Sequence, residues 1–278
     1  MLPITLSLDN VKSGYILMES AHLTQQKQLQ TVTCLPYDLT NMEDLMPVLI
    51  DISSLDIEQR REISEMLELQ RLGLSPPIIC ALLITDTEIK NIAEQIGKFL
   101  SAIDEGGTPV YWRFFDPRVF SLIWVTFSAE QRSVLLGPIR EWNFLWRGYW
   151  WSALKPQDGS DWNLRIESGF PTDDQWPTIK LGRILDQALL KIEDELKFSQ
   201  DDCLIFQIAA IELLLEAYKN LQLREPEELI DYICMGLKYS VRFTSHPALM
   251  AALKEISSGK LPWFSFKKTM DHNRLRTF

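Results

Sequence analysis

Arg113, Asp116 and Arg118 stand close together and are the chain's nearest approach to a reactive constellation. A carboxylate between guanidiniums could act as a general base, and with Glu19 and His22 converging on Asp116 it would make a small hydrolase site. Flanking arginines, however, hold a carboxylate in its charged form, which suits an ion pair better than a base. Asp116 also precedes Pro117. Proline pushes the residue before it out of helical geometry and itself suits the first helical position. Asp116 is therefore placed as an N-cap that accepts the free amides near Arg118 and Val119, a role worth on the order of 1 kcal/mol. The structural role is the preferred reading.

Other chemistry is sparse. His22, His246 and His272 are scattered, and none has a second ligand residue at i+3 or i+4, so no metal site is expected. His246 precedes Pro247, which favours a cap or turn. The sequence has no G-x-S-x-G and no phosphate-cradling or dinucleotide glycine loop, so no catalytic residue and no cofactor are expected. Gly106-Gly107 reads as the stop of a preceding helix. Cys34, Cys80, Cys203 and Cys234 stand far apart without a C-x-x-C pair, as reduced, buried thiols of a cytoplasmic protein do.

The elements around the constellation carry clear punctuation. Val110, Trp112 and Phe114 alternate with Tyr111, Arg113 and Phe115, the pattern of a strand with two faces. A helix runs from Pro117 to about Phe127. Ser128 and Gln131 form a capping box for a second short helix, which Gly137-Pro138 stops. Trp142, Phe144 and Trp146 then alternate again, and Trp150-Trp151 cannot both point to one face of a strand.

These residues resemble a known family. WRFFDPRVF, then SAEQRSVLLGPI and a tryptophan soon after, is similar to the adaptor proteins of bacterial type VI secretion. The likeness is strongest over Gly106–Trp142 and extends weakly to Tyr15–Ala21 and Leu35-Pro36-Tyr37; the family often has Asp where this chain has Glu19. The resemblance marks Arg113, Phe114, Phe115, Asp116, Pro117, Arg118, Gly137, Pro138 and Trp142 as structural motif positions. It implies a non-catalytic adaptor that binds a secreted effector in the cytoplasm and helps load it onto the spike protein. The expected partners are thus the cognate effector and the spike.

Toward the N-terminus, strands are expected at Tyr15–Met18 and Ile78–Ile84, an apolar stretch at Leu45–Ile52, and a helix over Ile57–Leu72 ended by Gly73 and Pro76-Pro77. The run IICALLI reads as a strand covered on both faces. Thr85 and Glu88 suggest a capping box for a helix over Glu88–Ala102. Strand, helix, strand in this order fits a crossover unit. The expectation is an α/β N-terminal lobe, a mixed or parallel sheet with flanking helices, over residues 1–155. A linker or inter-lobe wrap at 156–177, containing Trp162 and Trp176, leads to an all-α lobe at 178–259.

In that lobe, helices are expected along Leu181–Leu196, from Asp201 or Asp202 to Tyr218, from Pro226 to Lys238, and from Pro247 to near Gly259. The nearly all-apolar second of these should be central in the bundle. The tail at 260–278 is basic and aromatic and shows no helical period. It either folds back over the acidic helices or serves as a docking arm, and fold-back is preferred because exposed aromatics invite aggregation. Trp146, Arg147, Tyr149, Trp263, Phe264 and Phe266 are candidate partner-binding anchors, since interfaces favour aromatics and arginine. Most of the aromatics from Trp142 to Trp151 are expected to be core.

Bulk properties bound the rest. The 278 residues are 46% hydrophobic and 24% charged, an ordinary globular balance. A formal charge of −10 argues against nucleic-acid binding and against docking on an anionic membrane. No apolar run is long enough to span a bilayer. Against the adaptor stand two other readings, the hydrolase and a structural subunit without cargo. A pocket holding Glu19, His22 and Asp116 would favour the enzyme; an exposed apolar groove or patch would favour the adaptor.

Overall fold

The computed structural model describes residues 1–20, 29–36, 40–157, 165–197, 199–239 and 247–269. The chain divides into two units, Met1–Trp176 and Pro177–Phe278. The first contains β1 (Leu2–Ile4), β2 (Tyr15–Met18), β3 (Thr31–Thr33), β4 (Val48–Asp51) and α1 (Ile57–Arg71). β5 (Ile79–Ile84), α2 (Ile89–Leu100), β6 (Ser101–Ile103) and β7 (Pro109–Tyr111) follow. α3 (Pro117–Thr126), α4 (Ala129–Leu136), β8 (Glu141–Trp146) and β9 (Tyr149–Leu154) complete its regular elements.

Among the described residues, seven strands form one sheet in the order β1-β9-β8-β5-β2-β4-β3. Each neighbouring pair is antiparallel. The α/β lobe with flanking helices is therefore present, but its sheet is neither parallel nor mixed. Register explains its two apolar faces. Asn143 and Ser152 share one face with Leu82, Ile16 and Ile50, while Trp142, Phe144, Trp151 and Leu83 share the other. The first face meets α1 through a cluster that includes Ile16, Ile50, Ile63, Leu67 and Leu82. Trp150 packs against that cluster, whereas Trp151 approaches Trp146 with ring centroids 5.9 Å apart. IICALLI is continuous in character because β5 is interior in the sheet and buried on both sides.

The expected crossover is not made. After α2 the chain enters β6, which pairs antiparallel with β7 as a separate ribbon. Gly106-Gly107 belongs to the turn of that ribbon and does not stop the helix. One Asp104 carboxylate oxygen accepts the amides of Gly106 and Thr108, each at 2.9 Å, which fixes the turn locally. The expected strand through Phe115 ends at Tyr111. Thr85 does not cap α2 either: its hydroxyl accepts the Thr87 amide and donates to the Pro138 carbonyl, and Glu88 stands at the N-cap without a side-chain bond.

The stretch expected to be a linker largely belongs to the first unit. Phe170 packs on Phe99 at 5.0 Å, and Trp176 is buried against Trp112 at 5.7 Å. Gln175 donates to the Thr126 carbonyl, and Gln131 donates to the Phe170 carbonyl, both at 2.9 Å. These bonds satisfy two partly buried backbone acceptors. Trp162 lies outside the described residues.

α5 (Trp176–Lys180) is short. The second unit continues with α6 (Gly182–Leu196), α7 (Gln200–Leu215), α8 (Pro226–Tyr239), α9 (Pro247–Ser257) and α10 (Trp263–Thr269). α7 is capped by Ser199 in a box with Asp202, so it starts slightly before the Asp201 or Asp202 that the sequence suggested. It is not enclosed all round, because Ile205 and Ile208 are exposed; α8 packs against both α6 and α7. The tail expected to lack helical structure contains α10. Trp263 and Phe266 are nevertheless buried, Trp263 beside Tyr232 of α8.

Candidate functional site

Asp116 closes the N-terminus of α3. Its Oδ1 accepts the Arg118 amide at 2.9 Å, and Pro117 occupies the first turn, where its missing N–H costs nothing. The Arg118 guanidinium folds back on the same carboxylate, Nε to Oδ1 at 3.0 Å and Nη2 to Oδ2 at 2.6 Å. Arg113 lies 3.8 Å from Oδ2 and forms a close ion pair with Glu19. Its guanidinium also sits 5.6 Å from the Phe115 ring centroid. The carboxylates lie inside and the arginines cover them, with side-chain exposures of 6% for Asp116 and 14% for Glu19 against 45% and 52% for Arg113 and Arg118. Buried carboxylates survive only with such partners. Asp116 and Glu19 do come together, through Arg113, but in an ion-pair chain in which the helix cap and guanidiniums engage both Asp116 oxygens. His22, the third member of the hydrolase trio, lies outside the described residues, as do His246 and His272.

The rest of the motif is packed architecture. Phe114 and Phe115 are buried, with centroids 6.2 Å apart, and Phe114 lies 6.0 Å from Trp142. Trp142 is fully enclosed and stacks on Phe120 at 4.6 Å with only 7° between the planes. Phe120 also meets Phe144 and Trp124. Such pairs add roughly 0.5–1.5 kcal/mol each beyond burial. The Ser128–Gln131 capping box is present, and Gly137 ends α4 with φ of 54°, where a Cβ would strike the Gln95 side chain at 2.5 Å. Gln95 itself donates to the Val134 and Leu135 carbonyls at that helix end. Pro138 offers the carbonyl that holds Thr85.

Of the six anchor candidates, Trp146, Trp263 and Phe266 are buried. Trp146 flanks the turn Arg147-Gly148, whose two positive φ angles (52° and 75°) fit a tight hairpin between β8 and β9. Its carbonyl accepts the Trp151 indole N–H at 3.1 Å. Arg147 and Tyr149 are half-buried, and Phe264 is 66% exposed.

Thiol chemistry has little support. The four cysteines are reduced and buried, and burial pushes Cys34 and Cys80 far above the ordinary thiol range and Cys234 up to about 11. No helix among the described residues is long and apolar enough to cross a membrane.

A second feature, absent from the sequence reading, lies in the helical unit. An open groove of about 790 Å3 runs along the start of α8 and α10, lined by Glu225, Glu227 and Glu228 together with Trp263 and Phe264. Glu227 and Glu228 read from sequence as first-turn acids that complement a helix dipole. Only the packing of α10 on α8 brings them into one groove with aromatics.

No curated protein and no solved structure matches the chain. Residues 18–134, less than half of it, match a family model described as a domain of unknown function, DUF4123.

Proposed function

We propose that this protein is a non-catalytic adaptor that binds a type VI secretion effector in the bacterial cytoplasm and helps load it onto the spike protein. The signature WRFFDPRVF carries the reading; it falls inside the matched span, with Gly137, Pro138 and Trp142 just beyond it. The geometry of the signature supports a scaffold role. Its one carboxylate is occupied as a helix cap and ion-pair partner, and its aromatics make the core that joins α3 to the sheet. A scaffold of this kind leaves recognition to surfaces outside the motif.

Co-purification tests it. A tagged copy expressed in the source bacterium under secreting conditions is expected to recover a larger toxin-like protein and a spike protein. Recovery of neither, from abundant folded bait, would reject the assignment. Asp116→Ala bait that still folds should recover both as well as the wild type does.

A further inference from the structure

We propose that the groove between the start of α8 and α10 is a docking site for a lysine- or arginine-rich segment of the carried protein that bears an apolar anchor. The proposal rests on the adaptor reading and adds to it the face used and the chemistry of the segment. Charge selects the occupant. Glu225, Glu227 and Glu228 line the groove and have no cationic partner among the described residues, while the lining cation Lys267 is paired with Asp231. A helix dipole accounts for two acids in the first turn of α8, but not for Glu225 before it or for crowding. Burial first, and the charge of neighbouring Glu225 second, push the Glu228 carboxyl above its ordinary range, and a cation laid between the two would offset the second.

Shape and polarity add the rest. The groove also has an apolar lining: Pro226, buried Trp263 and two-thirds exposed Phe264. Carboxylates and aromatics lining one groove fit a cationic segment with one leucine or phenylalanine, its charges on the carboxylates and its anchor against Phe264. A neighbouring depression, bounded by Gln187, Lys191 and Ile230, shares Glu227, Asp231 and Lys267 and extends the track.

The test uses the full chain and a short fluorescent peptide of alternating lysine and leucine, read by anisotropy at about 0.15 M ionic strength. Glu227→Lys/Glu228→Lys is expected to weaken binding by about tenfold or more. Glu62→Lys/Glu65→Lys, an equal charge change on exposed positions of α1, should leave it within about twofold. Phe264→Ser should weaken the leucine peptide but not a lysine-serine version. Equal loss in both double variants would reduce the effect to net charge and overturn the site. Binding seen only after residues 270–278 are removed would make the chain's own end the occupant, and this also overturns it. Effector co-purification separates the two layers. If wild type and Glu227→Lys/Glu228→Lys recover the effector equally, the groove fails and the adaptor stands. If wild type recovers none, the adaptor fails, and peptide binding alone judges the groove.

Discussion

Trp142 and Trp263 are both buried tryptophans, and the indole N–H of each lacks an acceptor among the described residues. Their surroundings differ. Trp142 lies on an interior strand, stacked on Phe120 and flanked by Phe114, with helix above and sheet below. Trp263 rests on Tyr232 and Phe266 but also lines an open groove rimmed by carboxylates. Residue type and burial do not distinguish a seal from a boundary; the shell around the ring does. In the first unit the shell is closed and the motif is architecture. In the second it borders a groove, the face proposed for recognition.

If the first unit is a sealed body, breaking its seal has the largest effect. The span 18–134 lacks β1, β8, β9 and all of β2 except Met18, and β8 and β2 are interior to the sheet. Expressed alone, it would leave Phe114 and Phe120 without Trp142 and is expected to be insoluble or to melt without cooperativity. The span 1–176 keeps Phe170, Gln175 and Trp176 in place and is expected to show one cooperative transition. A sharp, equal transition from 18–134 would mean that the aromatic seal is dispensable.

The same contrast holds at single residues. Trp142→Ala should cost about 3–5 kcal/mol, as truncation of a fully enclosed aromatic does. Trp263→Ala should cost less, because water can enter from the groove and α10 has seven residues that can readjust. Denaturant midpoints at unchanged slope would measure both. Equal costs would erase the distinction between seal and boundary.

Much of the first unit was legible from punctuation. Asp116-Pro117, Ser128 with Gln131, and Gly137-Pro138 mark α3 and α4 because capping and turn chemistry are local. Sheet order was not legible. Pairing β5 with β2 on one side and β8 on the other joins strands far apart in sequence, and periodicity carries no information about partners. The ribbon β6–β7 was missed because its strands are three residues each and an Asp104 turn looks like a helix stop. Gln175 was unremarkable in sequence and Gln131 was read only as a capping-box partner, yet between them they bond the Thr126 and Phe170 carbonyls. The groove depends on α10, and a helix of seven residues in a basic tail gives little periodic signal.

Asp116 tests whether the polar motif belongs to the sealed body. Asp116→Ala removes the cap of α3 and should cost about 0.5–2 kcal/mol, while Asp116→Asn keeps an acceptor and should cost less. Arg113 and Arg118 are about half exposed and stay hydrated when their partner is lost, so the penalty should not reach that of stranding a buried charge. A cost above about 3 kcal/mol would show that the ion-pair chain matters more than the cap.

The smallest effect lies on the open side, where two carboxylates of one helix should respond to pH in opposite ways. Glu228 is pushed up by burial and by Glu225, with Glu227, Asp231 and Lys267 also lining the groove. Between the ordinary glutamate value, about 4.3, and its raised folded value, the native state holds the extra proton. Stability is therefore lost as pH rises through that window, and the penalty is complete near neutrality. Asp231 is the reverse. Burial raises its carboxyl, but hydrogen bonds from Lys267 and Lys191 outweigh this and lower it overall. Its contribution is present above the ordinary aspartate value, about 3.9, and is lost as pH falls through the lowered one. At pH 7, Glu228→Gln should raise the melting temperature, on the order of a degree given its exposure, and Asp231→Asn should lower it. At about pH 4 the Glu228→Gln gain should largely vanish while the Asp231→Asn cost persists. A Glu228→Gln gain of the same size at both pH values would mean that carboxylate crowding is not its source, and the groove would lose its electrostatic preference for a cation.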